Sequence, residues 1–399
     1  MITNYGNYSR ITHDIAPVGV FNFEFDGAGL FLWALDHYVR ATGDWTLVQE
    51  RWPTLRDEVA GFLTPLIDPQ IGLIAADSSI WEHHWLGKER SWAYTSITAA
   101  RGLCAAATFA EHMGEQGQAD DWRSDAERIR TGLLTSLQAP DRSLAQTLEE
   151  LQAGAGYVDG ATLEAVAMGL LDPAGAVAPA TLAAAVAELQ TTDGPGLSRN
   201  DDAWDANELS PWGSVYDSDE WVVIDLRAAV AAREVGEVAL ADALLSWVTA
   251  QSTANYLAIG ETYDPVSADY TNNAPMVGFG AGAYIAALNH RQGALVIEPA
   301  CGTWPVEPPP GDDDDSGDDD DSEDDDDSGD GEGDDDAGDD DDRVVPVGGC
   351  GCSAGGDSPT VFWAVLLLLA LRTTRAPRGS PGRCRRAPPP AGSARPRWT

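Results

Sequence analysis

Helical stretches almost free of charge, near 26–40, 91–113 and 275–291, stand apart in this chain from helical stretches charged on one face, near 44–66 and 117–138. Few folds accommodate that pattern. A helix that is dry all round must be enclosed by other elements, whereas one charged on a single face lies between the core and water. The alternate helical stretches begin near residues 26, 91, 160, 219 and 275, a step of about 55–70 residues, and repetition on that scale points to stacked helical hairpins. Helices are expected near 26–40, 44–66, 91–113, 117–138, 160–171, 178–190, 219–234, 236–253 and 275–291, with no alternating strand run. Two concentric helical layers follow, so the expected fold is all-α, an (α/α)6-type toroid or barrel. Six hairpins would use twelve helices and nine are visible, which leads to the expectation of an incomplete barrel, N-terminally truncated, with about three helices preceding Met1. That would also account for the lack of a secretory signal before Tyr5.

Local signals support the helix positions. The run Gly29–Leu35 carries no charge, Gly43-Asp44 ends the first helix and starts the second, and Pro53 should bend or interrupt it. Between 91 and 113 Arg101 is the only charge before Glu111, whereas 117–138 carries Asp120, Asp121, Arg123, Asp125, Glu127, Arg128 and Arg130.

The formal charge of −41 is unevenly distributed. Residues 312–342 hold 22 Asp and Glu, and from Arg343 onward nine Arg face one Asp. Removing both regions leaves 42 acidic and 15 basic side chains in 1–311, a net of −27. A folded part this acidic repels a polyanion, so nucleic acid is not an expected partner. The domain is expected to occupy 1–300. A stiff Pro-rich exit and a self-repelling Asp-rich linker, too charged to collapse, follow over 301–348. Residues 349–378 hold Gly349-Cys350-Gly351-Cys352, the uncharged run Val361–Leu371, then Arg372, Arg375 and Arg378; 379–399 is an Arg/Pro-rich extension. The uncharged run, expected to form a short tail helix, is below the roughly 20 residues of a membrane span. Backed by arginines, it still reads as a membrane-arresting signal. The five Cys suggest no disulfide framework: Cys104 reads as a small apolar residue in a buried helix, and Cys301 as following the domain. His83-His84 are adjacent and cannot grip one ion as an i, i+4 pair would, so neither a metal site nor a cofactor is implied.

Polar and aromatic groups collect in the loops ahead of alternate helices: Phe25-Asp26-Gly27, Trp81-Glu82, Tyr157-Val158-Asp159, Tyr216 to Trp221, and Gly260 to Asp264. In Trp81-Glu82 an indole beside a carboxyl lowers the local polarity. The neutral acid is then favoured, and a proton can be held for donation near neutral pH. Asp159 and Asp219 read first as helix N-caps.

In three blocks the chain resembles the glucoamylase family, family 15 of the glycoside hydrolases. Phe23-Glu24-Phe25-Asp26-Gly27-Ala28-Gly29-Leu30 is similar to the family's aromatic-x-Asp-Gly helix start. Ser79-Ile80-Trp81-Glu82 with Ser91-Trp92-Ala93-Tyr94-Thr95 resembles the block of its general acid. Gly260-Glu261-Thr262-Tyr263-Asp264-Pro265, with Asn273-Ala274-Pro275, resembles that of its general base, with Thr262 where the family usually has Gln. The resemblance implies Glu82 as acid and Glu261 as base in an inverting hydrolysis at the non-reducing end of an α-linked oligosaccharide or polysaccharide. It implies substrate contacts from Asp26, Trp81, Trp85, Arg199 and Trp221, with a core position as the other reading of Trp221. His83 stands where the family often has a second carboxylate, and the family's early Arg-Asp clamp has no counterpart. The tail resembles myxo-type surface-sorting tails, which implies a bacterial protein, secreted or held at the outer membrane surface. Rival readings are a catalytically inactive glycan-binding module and a related barrel hydrolase acting on trehalose or α-1,6-glucans.

Overall fold

The computed structural model describes residues 24–81, 90–191, 194–201, 219–264, 274 and 276–308. The acidic run, the sorting-tail segment and the Arg/Pro-rich extension lie outside the described residues, as do Glu82 and Trp85. Among the described residues no helix is long and apolar enough to cross a membrane, and no group of three or more His, Cys, Asp or Glu is arranged to hold a metal ion.

The fold is helical, in two layers. The inner helices are α1 (Asp26–Thr42), α4 (Ala93–His112), α7 (Glu164–Ala167, continuing the 3-10 turn Gly160–Leu163), α9 (Val222–Glu234) and α11 (Gly278–Arg291). They pack in sequence: α1 on α4, α4 on α7, α7 on α9, α9 on α11. The outer helices are α2 (Thr46–Thr54) with α3 (Gly61–Leu63), α5 (Gln116–Ser136), α8 (Val177–Leu189) and α10 (Val238–Ala254). A short helix, α6 (Leu148–Ala153), lies in the connection after α5.

Burial follows the charge pattern. In α4 nearly every side chain is buried, while α5 buries only the stripe Ala119, Trp122, Ala126, Ile129, Arg130 and Leu133–Leu134. Gly43, at φ 68°, terminates α1, and Asp44 Oδ1 accepts the Thr46 N–H at 3.0 Å to start α2. Pro53 lies inside α2, and a π turn, Leu55–Ala60, separates α2 from α3. The α1–α4 contact is backbone on backbone: a Cβ added to Gly102 would lie 2.6 Å from Gly29 Cα.

Three expectations need correction. The helix expected over 160–171 is only a 3-10 turn plus one α turn, and Gly169 (φ 73°) ends it. There is a β element: β1 (Glu220–Trp221) pairs antiparallel with β2 (Thr262–Tyr263). Two residues per strand are too few to show alternation. The largest difference is Cys104–Cys301, a disulfide spanning 197 residues. Cys301 does not follow the domain but fastens a strap to it. Arg130, buried in α5, donates to Thr303 O at 2.6 Å. Ala300 N–H donates to Gly169 O at 2.7 Å, and Glu307 accepts the Ala176 and Val177 N–H groups at 2.8 and 3.2 Å. A carboxylate there meets the positive end of the α8 dipole. Packing therefore extends to Glu307 rather than ending at 300.

Candidate active site

At one end of the inner layer, Asp77 joins three segments. Its carboxylate accepts the Phe25 N–H at 2.9 Å and the Thr95 hydroxyl at 3.0 Å, and its carbonyl accepts the Trp92 indole N–H at 2.9 Å. The start of α1, the start of α4 and the loop between them are thus fixed to one residue. Burial pushes the Asp77 carboxyl well above its usual range. The loop is closed at its base, where Asp77 and Arg90 exchange both backbone hydrogen bonds at 3.0 and 3.3 Å. Ser79 takes a positive φ of 55° two residues before Trp81. Such backbone strain in a non-glycine residue tends to be retained where function needs it.

Trp81 is the loop's inward anchor. Its indole N–H donates to Asp159 Oδ2 at 2.9 Å, and its ring meets Trp221 edge-on, centroids 5.1 Å apart. The Arg199 guanidinium lies 5.2 Å from the Trp81 ring and 5.1 Å from the Trp221 ring. A cation held against two indole faces is favoured by the ring quadrupoles. Trp81 and Trp221 are 7% and 4% exposed, so they are walls backed by Arg199 rather than open platforms. Arg199 is fixed through its backbone: Gly160 N–H donates to Arg199 O at 2.8 Å, and Asp159 pairs with Asn200.

Trp221 brings in the last segment. It pairs with Thr262, the residue after Glu261, and the Val222 N–H donates to Glu261 O at 3.3 Å. The residue before Glu82 therefore touches the residue paired beside Glu261. Asp26, at the first turn of α1, is buried, and that burial raises its carboxyl to about 6. Buried Tyr94 lies within electrostatic reach of Asp26, Glu164, Asp159 and Arg227, and burial pushes its phenol up.

Asp159 caps the 3-10 turn through Ala161 N–H at 2.7 Å, as expected of an N-cap. Asp219 does not cap α9, which starts at Val222 without a side-chain cap. Its carboxyl accepts from the Thr262 hydroxyl at 3.4 Å and is raised to about 6, by burial and then by Asp264. The sequence reading missed the second bond of Asp159 and the interior carboxyl pair Glu220–Asp225. Glu220 accepts the Trp247 indole N–H at 3.0 Å and lies against Asp225, whose carboxyl is raised well above its usual range, first by burial and then by Glu220. Gly196 leaves the room Glu220 occupies, since a Cβ there would overlap its carboxylate. The signal was present in Asp225 itself, an acid in the first turn of α9 set among Val222, Val223, Ile224 and Leu226.

Residues 74–197 match the sequence profile of glycosyl hydrolases family 15. The matched segment holds Trp81 and Asp159 and ends two residues before Arg199. No curated protein sequence matches the chain. Among solved structures, a glycosidase variant is similar at 24% identity over 69% of this chain and 68% of that one, with a TM-score of 0.53. A bacterial glucoamylase complexed with acarbose is similar at 14% identity over 70% of this chain and 42% of that one, TM-score 0.55. A glucoamylase from Saccharomycopsis fibuligera is similar at 11% identity over 69% and 71%, TM-score 0.52. These likenesses show the fold, the helical barrel framework of glucoamylases. The family match and the shared framework together support a glycoside hydrolase.

Proposed function

We propose that this chain hydrolyses α-glucosidic bonds at the non-reducing ends of an α-glucan or oligosaccharide, with inversion. The observation that carries the reading is the Trp81–Arg199–Trp221 cluster. It draws together the two loops in which Glu82 directly follows Trp81 and Glu261 directly precedes the partner of Trp221. In this mechanism Glu82 protonates the glycosidic oxygen as the bond breaks, and Glu261 takes a proton from water attacking the opposite face of the ring. An inverting pair needs carboxyls roughly 6.5–9.5 Å apart to admit that water. Arg199 presents a fixed cation to sugar hydroxyls, and the indoles exclude water around the acid. The α-glucan assignment draws on the family match and on the glucoamylase neighbours, one of them complexed with acarbose.

A disulfide forms and persists in oxidising compartments, so Cys104–Cys301 supports action outside the cytoplasm. This agrees with a protein displayed on the bacterial surface by its C-terminal tail. The reading is tested by glucose release from maltooligosaccharides, trehalose and an α-1,6-glucan, comparing the parent with Glu82→Gln and Glu261→Gln. Release by the parent that each substitution reduces by at least about a hundredfold supports the pair. A parent inactive on all three yet retained by immobilised starch would make the chain a binding module instead.

A further inference from the structure

We propose that Asp159 is a positioning residue of this site, holding the Trp81 indole, and so the backbone entering Glu82, against Arg199. The proposal rests on the hydrolase reading above.

An N-cap needs one carboxylate oxygen. Asp159 Oδ1 does that work on Ala161 N–H, and Oδ2 reaches a residue 78 positions away, the Trp81 indole N–H at 2.9 Å. The residue is buried, so neither oxygen relies on solvent. A phenyl ring would fill the apolar volume at position 81 without requiring a carboxylate to be desolvated, and a desolvated carboxylate is costly to keep. The bond specifies what packing alone does not, namely the rotation of the indole about its own axis. Three contacts then fix the ring: Asp159 at the N–H edge, Trp221 in an edge-to-face contact, and Arg199 over the ring. Asp159 and Arg199 belong to facing segments joined by the Asp159–Asn200 pairing, so one bridge sets both.

The charge state of Asp159 affects the contact. Burial pushes its carboxyl up to about 7; Ala161 N–H, the Trp81 indole and Arg199 pull it down, and Asp201 pushes it up. Among the described residues Tyr94, from the start of α4, also lies within electrostatic reach of it. Both hydrogen-bond partners are donors, so protonating Asp159 introduces an O–H where an acceptor is needed.

Asp159→Asn tests this because Asn caps a helix about as well as Asp, while its amide offers one acceptor for two N–H donors. Trp81→Phe removes the other partner. The singles and the double are compared by kcat and KM on maltooligosaccharides. The Trp81 indole N–H resonance, assigned by its loss in Trp81→Phe, is followed in 15N-labelled protein. Each single variant should lower kcat about tenfold or more with KM changed less than about threefold, and the double should be no worse than the poorer single. The indole resonance should titrate near pH 7 in the parent and shift in Asp159→Asn. Additive losses, or an indole resonance unmoved by Asp159→Asn, would overturn the proposal. A parent that releases no glucose would defeat the hydrolase reading alone, and the resonance would still decide whether Asp159 holds Trp81.

Discussion

Removing the Cys104–Cys301 cross-link should cost this domain a large part of its stability. Loop-closure entropy for a link spanning 197 residues gives about 5 kcal/mol at 25 °C. The double variant Cys104→Ala/Cys301→Ala retains the other anchors of the strap, the Ala300–Gly169 and Arg130–Thr303 bonds and the Glu307 cap on α8. It should therefore fold and lose stability rather than fail outright. For a domain near 300 residues, 1 kcal/mol corresponds to about 2 °C in midpoint, so the melt should fall by roughly 10 °C. Thermal unfolding followed by far-UV circular dichroism, with and without reductant, measures this. Reductant should lower the parent's midpoint and leave the double variant unchanged. The reasoning is refuted if the parent melts within about 1 °C of the double variant and alkylation of unreduced protein labels both cysteines.

Three further outcomes follow from the interior. Gly102→Ala places a Cβ 2.6 Å from Gly29 Cα, so α1 and α4 must separate; urea unfolding should show a loss of about 1–3 kcal/mol, and a neutral result would contradict the close approach. Asp36→Ala leaves buried Arg101 without the carboxylate 3.4 Å away; the expected cost in the same assay is about 3–5 kcal/mol, and a loss under about 1 kcal/mol would contradict a buried pair. The third concerns pH. The Asp225 carboxyl is raised in the fold, so the folded chain keeps a proton that the unfolded chain releases from about pH 4 upward. Its contribution is therefore full below the ordinary carboxyl range and declines as pH rises toward the raised value. Asp26, raised to about 6, acts in the same direction, and His37, pushed down to about 4 by burial and then Arg101, acts in the opposite one. Asp225→Asn isolates one group: its midpoint relative to the parent should improve from pH 4 to pH 8, and an unchanged difference would contradict the titration.

The helices were legible because charge is expensive in a dry environment. Arg101 alone among the side chains of 91–110 was enough to mark α4 as enclosed, and the acids and arginines of 117–138 marked α5 as half wet. Gly43 and Pro53 acted where backbone chemistry requires. What was not legible was pairing at a distance. Cys104 in an apolar helix looks the same whether or not it meets a cysteine 197 residues on. The capping role of Asp159 was local and readable, but its bond to Trp81 depends on two loops meeting. Asp219 shows the converse: an acid ahead of a helix suggests a cap, yet the β1–β2 pairing delays the helix to Val222 and turns the side chain toward Thr262. The contact of Trp81 and Trp221 with Arg199 was not legible either, because it forms only when three separate segments meet.

The most direct test of the account is the anomeric configuration of the first glucose released from a maltooligosaccharide, followed by proton NMR before mutarotation intervenes. The account predicts β-glucose from the parent and release at least about a hundredfold slower from Glu82→Gln. Initial release of α-glucose, or release by Glu82→Gln within about a hundredfold of the parent, would contradict it.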